Sequence, residues 1–132
     1  MLKMINVSTS SRQQMVDVTS QVNKILRESG IKNGIITLFV PHTTAAVTIN
    51  ENADPTVPRD MLFSLEKISP IYKEFRHLEG NSDAHVKSSL IGCDQQIIVE
   101  NGQLVLGTWQ DIYFCEFDGP RNRKLYIKIL GN

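Results

Sequence analysis

The sequence predicts a single α+β domain, mainly antiparallel β-sheet with a β-meander in its second half, two main helices and a short third helix. Three observations carry this. Strand-like segments dominate the chain, and the two main helical patterns are inserted early. "QQIIVENGQLVLG" flanks Asn101–Gly102 with two apolar runs, a strong hairpin signal because both turn residues tolerate positive φ. Residues 1–132 contain no low-complexity linker, repeat or composition shift, so one domain is expected. A chain of this size buries roughly two-thirds of its unfolded surface and needs no disulfide or metal staple.

The elements follow in order. "LKMINVS" alternates as a first strand, and "QQMVDVT" is expected to pair with it across the polar Ser8–Arg12 turn. Thr19 reads as an N-cap. Val22, Ile25, Leu26 and Ser29 then fall at helical spacing, and Gly30 stops the helix. "GIITLFV" reads as a buried strand, with "AAVTIN" as its partner after a turn at His42. A second helix starts in "ADPTVPRDM", where Asp54 can cap it and Pro55 suits its first turn. Met61, Leu62, Leu65 and Ile68 give it an apolar stripe, and Pro70 ends it. Asp83 reads as the N-cap of a short third helix, "AHVKSSLIG", ended by Gly92. "QDIYFCEF" and "KLYIKIL" are two further strands, joined by "DGPRNR".

Composition excludes several classes. Fourteen basic residues balance fourteen acidic ones, so no electrostatic footprint for nucleic acid is present. Cys93 and Cys115 are too few for a disulfide framework or a thiolate zinc site, and both read as inert core thiols. "MLKMINVSTSSRQQ" has no continuous apolar run, so neither a signal peptide nor a membrane span is expected there, and a cytoplasmic protein is.

The polar residues are unevenly placed. His42 stands where "ITLFV" leaves the core, a position that holds a functional group firmly while leaving one side open. A turn histidine bonded to carbonyls and water is the plain alternative. His85 falls in the first turn of the third helix, with Ser88 and Ser89 three and four residues on. Hydroxyls and amides there suit an anion such as a phosphate group, and Lys87 can add charge from another face. His77 precedes the polar loop "LEGNSD". Three imidazoles from separate segments, His42, His77 and His85, would make a zinc-like site with an open position, although no HExxH spacing supports it. Glu51 and Asn52 close the strand "AVTIN". Strand alternation puts Gln110, Ile112, Phe114 and Glu116 on one face. Glu116 among apolar neighbours needs a partner, and Arg121 and Arg123 are the nearest in sequence.

"HTTAAVTINENADPTVPRDM", "EGNSDAHVKSSLIG", "GTWQDIYFCEFDGPRNR" and the Asn101–Gly102 hairpin together resemble the YjbQ-like family of small bacterial and archaeal proteins, from about Ile35 to Leu130. The family's histidine in its His-Thr-Thr/Ser-Ala motif falls on His42, its Glu-Asn pair on Glu51 and Asn52, and its Asp-Pro on Asp54 and Pro55. The histidine before the Glu-Gly loop falls on His77, that of His-x-Lys-Ser-Ser on His85, and Gly-Thr-Trp-Gln on Gly107 to Gln110. Some members carry a longer loop with paired aspartates where this chain has only Ser82–Asp83.

The resemblance implies a single-domain α+β homotrimer with secondary thiamine-phosphate synthase activity. That reaction joins a pyrimidine pyrophosphate to a thiazole phosphate and releases pyrophosphate. The expected site then comprises Glu51, His42 and Gln110 as catalytic residues, with Ser88, Ser89, Lys87, Asn52 and Trp109 holding a small phosphorylated substrate. A divalent metal is expected on His42, His77 and His85, zinc-like by ligand type, or magnesium where pyrophosphate departs. Two other functions fit the same histidines. One is a trimeric metal- or ligand-binding protein without turnover, since no nucleophile elbow or Walker loop is present. The other is metal-assisted hydrolysis of a phosphoester.

Overall fold

The computed structural model describes residues 2–132. The chain runs β1 (Leu2–Ser8), β2 (Gln14–Asp17), α1 (Thr19–Ser29), β3 (Gly34–Phe39), β4 (Ala45–Glu51), α2 (Thr56–Ile68), α3 (Ser82–Ile91), β5 (Asp94–Glu100), β6 (Gln103–Leu104), β7 (Gln110–Glu116) and β8 (Asn122–Gly131). Two antiparallel sheets form. The first has the order β1-β8-β3-β5-β6 and the second β2-β7-β4. The α+β class and the three helices match the expectation.

Alternation explains how the layers stack. Ile5 and Val7, Ile36 and Leu38, Ile97 and Val99, and Leu125, Ile127 and Ile129 line the inner face of the large sheet. They meet Val22 and Leu26 of α1 and one face of the small sheet, carried by Val47, Ile112 and Phe114. The other face of the small sheet, with Ala46, Tyr113 and Cys115, packs with Leu65 of α2 and Ala84 of α3. Every other residue of β7 thus enters a different core, so both faces of the strand are buried at its centre. Ala45 and Ala46 in β4 are small, and α3 lies close against that strand.

Several expected pairings are replaced. β1 does not pair with β2. It runs along β8 from Leu2↔Lys128 to Ser8↔Asn122, while β2 joins β7 in the other sheet. β3 does not pair with β4 either, since it lies between β8 and β5, and β4 pairs with β7. The ten-residue β8 can serve two neighbours, and it takes one strand from each expected pair, β1 and β3. The second half is therefore no meander. β5 and β6 form the expected hairpin, but β7 and β8 divide between the two sheets.

Local signals fare better. Asn101 and Gly102 take φ of 52° and 75°, the two positive values a tight hairpin turn requires. Gly30 ends α1 at φ 71°, its N–H bonded to the Arg27 carbonyl. Asp54 accepts from the Thr56 N–H at 2.9 Å ahead of α2, but Pro55 stands at the N-cap position and not in the first turn, and no side chain caps the helix from there. Thr19 is not the cap of α1. Asp17 accepts from its N–H and hydroxyl, while Thr19 Oγ1 accepts from the Ile112 N–H of β7. Ile68, read as part of the α2 stripe, is exposed at the end of its helix. Of the two cysteines only Cys115 is buried, and Cys93 is exposed.

Candidate functional site

β3 ends at Phe39, and the loop from Val40 to Thr44 carries His42 over the rim of the core. Val40 is buried, and its N–H donates to the Cys93 carbonyl at 2.7 Å, which ties this loop to the turn between α3 and β5. The His42 ring is held from the other side, where the Lys124 N–H of β8 donates to Nε2 at 2.9 Å. Burial pushes the His42 imidazole below its ordinary value, and the Arg123 charge adds to that, so the ring is neutral at pH 7.

α3 supplies the opposite wall. Its buried face carries Asp83 and Lys87, both without solvent exposure. Arg12 grips Asp83 with two bonds of 3.1 Å, and the Lys87 ammonium sits 3.2 Å from Asp83 and 2.5 Å from Glu66 of α2. Burial alone would raise the Asp83 carboxyl. Arg12 and Lys87 outweigh it and hold the carboxyl below the usual range. This network anchors the helix. His85, Ser88 and Ser89, at spacings of three and four, then share its other face. Ser88 Oγ donates to the Thr43 carbonyl at 2.6 Å, which joins α3 to the His42 loop. His77 comes from the segment after α2, and its ring meets that of His85 edge to face with centroids 5.5 Å apart.

Two adjoining hollows result, of about 480 and 460 Å³, within the range of small-molecule sites. They share His42, Thr43 and His85. The first adds Ser88, Ser89 and Cys93, and the second His77, Glu79, Asn81, Asp118, Arg121 and Arg123. All three histidines therefore open onto one cleft. Another hollow of about 340 Å³, under β1 and α1 near Lys3 and Glu28, contains none of them.

The back of the cleft is held by a buried ion pair. Glu116 is fully buried, and its carboxylate accepts from Thr9, from the Asp118 N–H and from Arg123 through both Nε and Nη2. Burial would raise this carboxyl, but Arg123, the Asp118 amide and Thr9 together lower it. Arg123 also bonds Thr44 through its hydroxyl and carbonyl. Arg121 stays half exposed at the rim, steadied by the Asp118 carbonyl and carboxylate at 2.8 and 3.0 Å.

The expected site residues divide into two groups. His42, His77, His85, Ser88 and Ser89 meet in the cleft. Lys87 does not, because its ammonium is spent on Asp83 and Glu66 inside the protein. Asp83 is likewise a buried ion-pair partner, and Asn81 takes the position before the first turn of α3. Glu51, Asn52, Trp109 and Gln110 stand at the other end of the β4–β7 ladder. The register runs from Ala45↔Glu116 beside the cleft to Glu51↔Gln110, six residue steps or about 20 Å away.

At that far end Asn52 donates to Asp17 and Asp111 and accepts from the Tyr113 hydroxyl. Burial, with the nearby charges of Asp17, Asp111 and Glu51, raises the Tyr113 phenol. Gln110 Oε1 accepts from the Gly107 N–H and closes the preceding turn, and Trp109 is largely exposed. Arg121, Asn81 and Asp118 line the cleft without having been singled out for it. In the sequence, "DGPRNR" reads as a strand connection, part of the family motif and a source of partners for Glu116, not as cleft lining.

The histidines do not form a ready metal site within one chain. Among the described residues no three His, Cys, Asp or Glu side chains stand close enough to share an ion. His42 has also committed its Nε2 lone pair to β8.

Among the described residues no helix is long and apolar enough to cross a membrane. The family model for the "UPF0047 protein YjbQ-like" group matches residues 3–132. The UPF0047 protein YugU of Bacillus subtilis is 54% identical over 132 residues, covering 99% of this chain and all of the relative. The UPF0047 protein MJ1081 of Methanocaldococcus jannaschii is 52% identical, covering 100% of this chain and 96% of the relative. The crystal structure of a yjbq/upf0047 family protein from Clostridium acetobutylicum superposes with a TM-score of 0.95 at 54% identity, over 97% of this chain and 99% of that one. A YbjQ-like protein of unknown function from Sulfolobus solfataricus gives 0.95 at 37% identity, over 100% and 97%. With the fold matched along its length and the family model spanning nearly every residue, this chain belongs to the YjbQ-like, UPF0047 family.

Proposed function

We propose that the cleft binds the phosphate of a phosphorylated heterocycle, and that the chain has the secondary thiamine-phosphate synthase activity implied by the YjbQ-like resemblance. The observation that carries this reading is the convergence of His42, His77, His85, Ser88, Ser89 and Arg121 on one open cleft. In the condensation, negative charge gathers on the departing pyrophosphate, and preorganised donors at that position lower the barrier. Arg121 and the neutral His42 are the donors on hand. Magnesium would arrive on the pyrophosphate oxygens, its usual ligands, and needs no histidine cage. The test supplies both thiamine precursors with magnesium and follows pyrophosphate release. Product formation that falls in Arg121→Ala supports the reading, and silence from folded protein in every mixture overturns it.

Binding without turnover is the second reading. It is favoured by the position of Glu51 and Gln110, about 20 Å from the histidines along the ladder. Retention of a phosphorylated ligand with no product would select it, and inorganic phosphate released from a generic ester would select hydrolysis instead.

The resemblance also implies a homotrimer, and the outer face of the large sheet supports self-association. Its cross-strand rows Met4–Tyr126–Phe39 and Leu130–Ile35–Ile98 are largely apolar, and nothing among the described residues covers them. The row Leu2–Lys128–Thr37–Gln96 lies between them, and exposed apolar rows beside such polar positions suit contact between copies of the chain. Sedimentation velocity of Ile35→Glu should show a smaller species than the unsubstituted protein; an unchanged coefficient would exclude this face as the contact.

A further inference from the structure

We propose that His42 is a fixed hydrogen-bond donor, presenting Nδ1–H to an anionic oxygen of the bound ligand, and is not a metal ligand. This rests on the reading of the cleft as a phosphate site. A neutral imidazole has one N–H and one lone pair, and the partner of one nitrogen decides the state of the other. A backbone amide can only donate, so the 2.9 Å bond from the Lys124 N–H requires Nε2 to be bare. The proton therefore sits on Nδ1.

The topology makes this arrangement durable. β3 ends at Phe39, opposite Tyr126. Two residues along β8, the Lys124 amide on that side has no β3 carbonyl to meet, and the His42 ring takes the place of the missing strand. Rotating the ring to offer Nε2 elsewhere would break this bond and leave the Lys124 N–H to water alone. Protonating Nε2 would set two donors against each other.

Nδ1 has no acceptor among the described residues, and it is not one of their buried unpaired atoms, so its hydrogen is available to a ligand. His42 lines both hollows. The Ser88 and Ser89 hydroxyls beside it already donate to the Thr43 and His85 carbonyls, while the Arg121 guanidinium, bonded to Asp118 through Nε and Nη2, keeps Nη1 for a ligand. An N–H donor beside a guanidinium receives an oxyanion. A metal would need the lone pair that Nδ1 does not offer.

The experiment uses ¹⁵N-histidine NMR of the full chain, with inorganic phosphate and then zinc as probes. The expected spectrum of the ligand-free protein has His42 as the Nδ1–H tautomer, with phosphate shifting Nδ1 and zinc leaving that proton in place. His42→Asn keeps a short N–H donor near the position of Nδ1, whereas His42→Ala removes it. Phosphate affinity should fall at least ~10-fold in the alanine variant, the usual cost of losing a bond to a charged group, and within ~3-fold in the asparagine variant. An Nε2–H tautomer, loss of the Nδ1 proton to zinc, or equal losses in the two variants would overturn the donor role alone. An Nδ1–H tautomer in a protein that binds no phosphate would instead overturn the phosphate reading of the cleft, and the ligand role with it.

Discussion

Two buried charged groups show how far a side chain's meaning depends on its partners. Glu116 and Arg123 were recognisable as a pair because a carboxylate on an apolar strand must be compensated, and the nearest arginines follow within seven residues. Lys87 carried no such signal, since Glu66 comes from α2 and Arg12, which shares Asp83 with it, comes from the loop before β2, and only folding brings them to α3. Removing one member of a buried pair leaves the other charge uncompensated, so Arg123→Ala should lower stability by ~3–5 kcal/mol. Urea unfolding checks this, and a loss below about 1 kcal/mol would mean that water reaches Glu116. Lys87→Met has a different expected signature. Asp83 keeps Arg12 and Glu66 keeps Gln13, so the loss should be smaller, ~2–3 kcal/mol. Phosphate affinity of the folded variant should be unchanged; a tenfold loss with the fold intact would return Lys87 to the cleft.

Among the elements, what was legible depended on the range of the interaction. The Asn101–Gly102 turn and the Gly30 stop depend on φ at one or two residues, and both were readable from residue type. The partners of β1 and β4 were not, because sequence proximity favoured β2 and β3 while the long β8 and the twice-buried β7 decided the outcome. Two glycines separate the local case from the long-range one. Gly102→Ala meets only the flexible end of Lys32 and pays mainly for its positive φ, about 1 kcal/mol. Gly34 has no positive φ, and its residue type carried no warning. Yet a Cβ there would lie 2.0 Å from the Leu130 carbonyl oxygen, part of the β3–β8 ladder. Backbone cannot yield as a lysine tip can, so Gly34→Ala should cost more, ~3 kcal/mol or above. Thermal unfolding of the two variants side by side gives the order, and a Gly102 variant less stable than the Gly34 one would refute the assignment.

Across the whole molecule, the candidate site was legible as residue types but not as a place. Motif residues close in sequence, such as His42 and Glu51, are carried by β4 to opposite ends of one ladder. Residues far apart, such as His42 and Arg121, come to one cleft because β8 passes the end of β3. That cleft is buttressed by carboxylates held in the fold below their usual range, Glu116 behind it and Asp83 beneath α3. A carboxyl whose folded value lies below its unfolded one, about 4.3 for Glu and 3.9 for Asp, contributes stability that is fully present above the unfolded value. The unfolded chain takes up the proton first, so this contribution is lost as pH falls from about 4 through the folded values. His42 acts in the same sense at higher pH. Its folded value lies below 6.5, so stability should decline slightly once pH drops under about 6.5. Urea midpoints measured from pH 8 to 3 should show a shallow decline beginning below about 6.5 and a steep fall below about 4. In His42→Asn the shallow decline should vanish and the steep fall remain. A midpoint that stays level down to pH 3 would mean that neither carboxylate is as strongly held by its partners as Arg123 and Arg12 require.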